Sequence, residues 1–158
     1  MNRFALLVVA WMLAAAPLAR AELWLTDFAA ARAQAARENR PVLINFSGSD
    51  WCGWCMRLDA EVFSTPAFIT FATQRLVCVQ IDFPRRTQLP DALVAQNRSL
   101  KQAYGVEGYP TVLITTPQGK VIARTGYRAG GPQVYVEHLD QLLRAGEPGN
   151  PAPTENQP

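Results

Sequence analysis

The stretch Trp51-Cys52-Gly53-Trp54-Cys55 decides how the rest of this 158-residue chain is read. Before it lies a short apolar run of strand length, Val42 to Phe46, and the loop Ser47-Gly48-Ser49-Asp50. After it, from Cys52 to about Ala60, Cys55, Leu58 and Val62 recur on one side of a helix. The two cysteines therefore sit at a strand–loop–helix junction, with Cys52 at the helix N-terminus. A sulfur placed there faces unpaired backbone N–H groups and the positive end of the helix dipole, and both favour the thiolate. The thiolate is the nucleophile of disulfide exchange, so Cys52 is read as the attacking sulfur. Cys55, one turn deeper, is placed to resolve a mixed disulfide by attacking Cys52.

A Cys-x-x-Cys pair has other uses. Zinc would need two more ligands, and Cys78 and His138 are the remaining residues of the usual soft type. Covalent haem attachment calls for a histidine after the second cysteine, where this chain has Met56. A purely structural disulfide across four residues would staple little chain. The strand before and the helix after favour a redox-active Cys52–Cys55 disulfide, which is its own redox centre and needs no metal or organic cofactor.

Working outward, Asp27 to Arg40 is alanine-rich, with Phe28, Ala31 and Ala35 on one face, a cap at Thr26 or Asp27 and a stop at Pro41. Thr65-Pro66 restarts a helix carrying Phe68, Ile69 and Phe71, and Leu76 to Asp82 alternates as a buried strand does. Asp91 to Tyr104 shows Leu93, Leu100 and Tyr104 on one face and ends at Gly105. Thr111–Thr115 and Val121–Thr125 form a hairpin through Pro117-Gln118-Gly119, and Pro132 opens a last helix with Tyr135, Leu139 and Leu142 inward. Strand–helix–strand, then a hairpin and a closing helix, implies an α/β fold: a mixed central sheet of about four strands with helices on both faces.

With 49% hydrophobic and 18% charged residues, the chain has the make-up of one soluble domain and is too apolar to be disordered. Residues 1–21 read as a signal peptide: Arg3, an apolar run of 13 residues from Phe4 to Ala16, Pro17, then Ala19-Arg20-Ala21 as a cleavage signal. A spanning helix needs about 20 apolar residues, so no stable membrane insertion is expected once the leader is cleaved. Residues 22–145 form the domain, and 146–158, with four prolines and no apolar periodicity, form a disordered tail. Arg3 and Arg20 leave with the leader, so 13 basic residues face 13 acidic ones and the mature chain carries no net charge with His138 neutral. That balance argues against nucleic acid or an anionic membrane surface as partner. All three cysteines stay in the exported chain, in an oxidising environment, and an odd number leaves one thiol over.

The chain resembles the thioredoxin superfamily over about Glu22 to Ala145. The likeness rests on Pro41 to Phe46, the Trp51–Cys55 motif, Val79 to Asp82, and Tyr104-Gly105-Val106-Glu107-Gly108-Tyr109-Pro110-Thr111. It implies a thioredoxin fold, a cis-proline at Pro110 beside the disulfide, and the backbone of Tyr109 offered to a docking peptide. The form Gly48-Ser49-Asp50-Trp51-Cys52-Gly53-Trp54-Cys55 is similar to exported thioredoxin-like proteins more than to cytosolic thioredoxin, whose motif has Gly-Pro between the cysteines.

Two positions depart from the family. The buried acid of the strand before the motif falls on Asn45, which cannot titrate, and the lysine that often neighbours it falls on Cys78. A buried ion pair would thus have become a neutral amide and a thiol, a coherent double loss. Cys55 must then give its proton to water or to a nearby carboxylate such as Asp50, Asp59 or Glu61.

Trp51, Trp54 and Tyr109 are expected to ring the disulfide as an apolar collar for flexible substrate segments. Cys78 between Val77 and Val79 reads as a small buried hydrophobe. Arg57, Arg85 and Arg86 read as solvated charges and His138 as a residue of the helix surface. The expected function is an exported, periplasmic thiol–disulfide oxidoreductase acting on protein thiols and disulfides, more reductase than oxidase. The resemblance implies a membrane thiol-reducing electron donor. The alternative is a binding or chaperone-like module of the same fold with a static disulfide.

Overall fold

Residues 42–47 send alternate side chains to opposite faces, and that alternation organises the domain. The computed structural model describes residues 23–146. In chain order it contains β1 (Trp24–Leu25), α1 (Phe28–Glu38), β2 (Val42–Ser47), α2 (Gly53–Leu58), a π-helical turn (Asp59–Phe63), α3 (Pro66–Arg75), β3 (Val77–Asp82), α4 (Asp91–Ala103), β4 (Thr111–Thr115), β5 (Val121–Thr125) and α5 (Gly131–Ala145). Val42, Ile44 and Phe46 join Val77, Val79, Ile81 and Leu113 under Phe28, Ala31 and Ala35 of α1, with Leu100 and Tyr104 at the edge. Leu43, Cys78, Val112 and Ile114 face the other way, against Leu58 and Phe63, Phe68 of α3, and Tyr135 and Leu139 of α5. Every residue of β2 is buried, as expected of a central strand covered on both sides.

The strand order is β1-β3-β2-β4-β5. β2 runs parallel to β3, with Val42 opposite Val77 and Ser47 opposite Asp82, and antiparallel to β4. A parallel pair needs a crossover, which α2, the π-helical turn and α3 supply. β5 closes the sheet antiparallel to β4, with a register shift between Ile114 and Thr115. The sheet thus has five strands where about four were expected. The additional strand is β1, two residues long, with Trp24 opposite Cys78 and Leu25 opposite Val79. Two residues are too few to show a period-2 pattern, so nothing in the sequence marks it.

The helix ends follow local chemistry. Asp27 caps α1 by accepting the Ala30 N–H, Thr65 caps α3 by accepting the Phe68 N–H, and Gly105 beyond α4 takes φ +58°, where a side chain would strain the backbone. The helix expected from Cys52 to about Ala60 is α2, which ends at Leu58 and widens into the π-helical turn. The leader (1–21) and all but Gly146 of the tail lie outside the described residues. Among the described residues no helix is long and apolar enough to cross a membrane.

Candidate active site

β2 delivers the chain to Gly48, where it turns towards α2. A Cβ at Gly48 would lie 2.4 Å from the Trp51 ring, so this turn admits no side chain at that position. The Gly48 carbonyl accepts both the Trp51 N–H (3.2 Å) and the Cys52 N–H (2.8 Å), which sets Cys52 at the N-cap of α2. There its sulfur accepts the Cys55 N–H at 3.2 Å, satisfying one of the orphan donors of the first turn. Cys52 and Cys55 are joined in a disulfide with their Cα atoms 5.2 Å apart. In this oxidised state the residues are 8% and 5% exposed, Cys55 the deeper as expected.

The aromatic side chains of Trp51, Trp54 and Tyr109 are held differently. Trp51 is half-buried and held on every side: its indole N–H donates to the Phe83 carbonyl at 2.7 Å, the Arg85 guanidinium lies 3.8 Å from its ring centroid, and Tyr109 meets it edge-on at 5.8 Å. Trp54 is 55% exposed, resting against Tyr127 at 5.0 Å. The Tyr109–Pro110 peptide bond is cis. Tyr109 also packs on Phe83 at 5.4 Å, with the Lys101 ammonium 5.3 Å from its ring.

Arg57, Arg85 and Arg86 are exposed, as expected of solvated charges, and two of them also make contacts. Arg57 bonds Glu61 at 2.6 Å and lies over the rings of both Trp54 and Tyr127, while the Tyr127 hydroxyl donates to Glu61 at 2.7 Å. The Arg57 hydrogen bond first, then that of Tyr127, holds the Glu61 carboxyl below its ordinary range. The hydrogen bond to Glu61 likewise raises the Tyr127 hydroxyl. Asp50 accepts the backbone N–H groups of Arg85, Arg86 and Thr87 at 2.7–3.0 Å, and these bonds, Arg85 first, lower its pKa. Sequence reasoning missed Phe83, Lys101 and Tyr127. Phe83 and Tyr127 lie in segments without periodicity, Lys101 lies on α4 away from its apolar face, and Tyr127 is 66 residues from the Glu61 it meets.

Asn45 is 6% exposed, and its amide donates to Gln80 at 2.8 Å. Its partner is Gln80, directly opposite on β3, and not the Cys78 thiol expected from alignment, which stands opposite Leu43. Cys78 is free and buried among apolar side chains, and burial pushes its thiol up to about 12. His138 bonds Thr125 at 3.0 Å, and burial, then Arg128, lowers its pKa. Among the described residues no group of three or more His, Cys, Asp or Glu side chains is arranged to hold a metal.

The model of a thioredoxin-like family matches residues 23–117, three-fifths of the chain, and spans both the disulfide and the cis-proline. The chain belongs to that thioredoxin-like family. It is 32% identical over 128 residues to the disulfide bond reductase DsbH of Chlamydia pneumoniae, covering 81% of this chain and 77% of that one. It is 28% identical to the thioredoxin-related protein DsbJ of the same organism, across 80% of this chain and 38% of that longer protein. A solved structure of a DsbH oxidoreductase superposes with a TM-score of 0.74 at 32% identity, over 81% of this chain and 89% of that one. With its disulfide at the N-terminus of the helix after β2, this thioredoxin-like chain is a thiol–disulfide oxidoreductase.

Proposed function

We propose that the protein is an exported disulfide reductase of protein substrates. The observation that carries the reading is the placement of Cys52 at the α2 N-cap, its sulfur already accepting a backbone N–H, with Cys55 bonded directly behind it. The same donor and the helix dipole favour the Cys52 thiolate in the reduced protein. That thiolate attacks one sulfur of a substrate disulfide and expels the other as a thiolate. Cys55 then attacks Cys52, the substrate leaves with both cysteines reduced, and the Cys52–Cys55 disulfide remains. Trp51, Trp54, Tyr109 and Pro110 line the approach, and the exposed Trp54 offers the substrate an apolar surface.

The reducing direction is supported by the likeness to a disulfide bond reductase. Each turnover leaves the protein oxidised, so a thiol-reducing donor must return two electrons, and a membrane protein supplies them in this reading. Cleavage of residues 1–21 would expose Glu22 as the new N-terminus, which sequencing of the exported protein checks.

The deciding measurement is the reduction potential of the Cys52–Cys55 pair in a dithiothreitol or glutathione buffer, followed by Trp51 and Trp54 fluorescence. A reductase is expected at about −270 to −220 mV. A value near about −180 to −120 mV would make it an oxidase or isomerase, and one below about −300 mV a structural staple. Asn45, which removes the titratable group behind Cys55, favours a second reading: a binding module with a static disulfide. In that case Cys52→Ser keeps its partners, whereas the reductase loses all turnover.

A further inference from the structure

Behind Cys55, on the face of the sheet away from α1, lies a cavity of about 340 Å³. Its lining is mixed: Trp24 and Met56 give it apolar surface, while Asn45 and Ser47 of β2, Gln80 of β3, Ser49 of the loop and Asp59 from the helical side supply polar atoms beside Cys55. Met56, Asp59 and Ser49 are exposed, so the cavity opens to solvent at their end. At about 30 Å³ per water molecule the space holds several, and the wall supplies the two to four polar partners each one needs. The Asn45 amide oxygen, in a side chain 94% buried, has no hydrogen-bond partner in the protein. Such a group calls for water or a relaxed neighbour to satisfy it.

Asp59 and Cys55 are the titratable side chains that line this cavity. Four residues apart on one helical face, they are also linked through the backbone, the Asp59 N–H donating to the Cys55 carbonyl. The π-helical turn begins at Asp59, a feature often found where a helix is bent to a functional purpose. The other charged groups nearby are committed elsewhere. Glu61 is held by Arg57 and Tyr127, Asp50 by three backbone N–H groups, and Asp82 by the backbone N–H and hydroxyl of Ser49. Asp59 accepts only a long bond from the Ser64 hydroxyl at 3.2 Å.

We propose that this cavity is a water-filled proton outlet and that Asp59 receives through it the proton of Cys55 during resolution of the mixed disulfide. The proposal rests on the disulfide-exchange reading above. As Cys55 Sγ forms its bond to Cys52 Sγ, the bond from Cys52 to the substrate sulfur breaks and the electron pair leaves with the substrate thiolate. The proton of Cys55 passes to a cavity water, which gives one to the Asp59 carboxylate, and from there it exchanges with bulk solvent. Asn45 and Gln80 hold the water and take no proton themselves.

The test is the rate of Cys55 attack in fully reduced protein mixed with saturating glutathione disulfide, followed by tryptophan fluorescence between pH 5 and 10. Asp59→Asn is expected to slow this step about a hundredfold near neutral pH, the lower end of what a positioned base contributes. The deficit should vanish at the alkaline end, where hydroxide ionises Cys55 directly, and Asp59→Glu should restore most of the rate. Asn45→Leu, equal in size but apolar, should reproduce the deficit with Asp59 intact. An Asp59→Asn profile superimposed on the wild type overturns the proposal, as does a deficit of the same factor at every pH, which marks a packing role. Wild-type protein that releases no glutathione at all would instead overturn the disulfide-exchange reading, and this proposal with it.

Discussion

Asn45 shows how much a single side chain determines. It lies in a site with Gln80 and two serines, and no cation lines the cavity beside it. A carboxylate introduced there would keep only part of its solvation, from the cavity water, and gain no cation, so its folded pKa would rise above the unfolded value of about 3.9. The neutral form costs little, so the penalty is absent below that value and grows as pH rises through the folded pKa. Asn45→Asp is therefore expected to be near wild-type in stability at pH 4 and about 1–3 kcal/mol weaker at pH 8 by urea unfolding. An equal deficit at both values would show a site as wet as the surface. Cys78 lies at the opposite extreme. Its thiol, raised from 9.0 to about 12 by burial, supplies almost no thiolate at pH 8, so iodoacetamide should leave it unreacted in the folded, oxidised protein and modify it at once in urea. Rapid labelling of the folded form would show that the strand opens. The substitution at position 45 was legible from the sequence, but the identity of its neighbour was not. Alignment put a thiol beside it, whereas strand register puts Gln80 there.

Elements are where sequence legibility was uneven. Period-2 runs and capped helices gave β2 to β5 and all five α-helices, because each carries its own local signal. β1 and the π-helical turn carry none: one is two residues paired only through β3, the other an extra residue accommodated within a helix. The segment 83–87 is similar, an irregular loop that nonetheless forms one wall of the site through Phe83 and Arg85. What holds it is Asp50, whose lowered pKa means that its three backbone bonds persist through the ordinary carboxylate range and are lost only as pH falls through the folded value beneath it. Amide-exchange protection at Arg85, Arg86 and Thr87 should thus hold from pH 7 down to about pH 4 and disappear only below the ordinary carboxylate value of about 3.9. Asp50→Ala should abolish it at every pH while core amides of β2 stay protected. Protection that survives the substitution would assign the loop's order to the Arg85–Trp51 stack instead. A simpler check applies to α3: Thr65→Ala removes the cap on Phe68 and should cost about 1 kcal/mol in thermal or urea unfolding.

On the scale of the whole molecule, the core is assembled without help from the redox pair. Two apolar layers cover the sheet, one closed by α1 and the other by α3 and α5, and β2 runs buried between them. That layering was legible in the sequence because alternating strands and amphipathic helices each announce which face they bury. The contacts that hold Trp51, Trp54 and Tyr109 were legible only in part, because Tyr127, Phe83 and Lys101 reach them by topology from distant parts of the chain. The division of labour has a measurable consequence. Closing a loop with a sequence separation of 3 removes little chain entropy, so the Cys52–Cys55 disulfide contributes at most about 2 kcal/mol to folding. Reduction should leave a cooperative unfolding transition whose midpoint falls by no more than about 10 °C. The reduced protein must remain folded, because reduced substrate is released only if the same scaffold presents Cys52 in both states. By linkage, each 1.4 kcal/mol of stability lost on reduction lowers the potential of the pair by about 30 mV. A scaffold insensitive to reduction therefore keeps the pair within reach of a thiol donor. Melting of the protein with and without dithiothreitol checks this directly: a collapse of the transition on reduction would make the disulfide a staple of the fold and remove the ground for a cycle that passes through the dithiol.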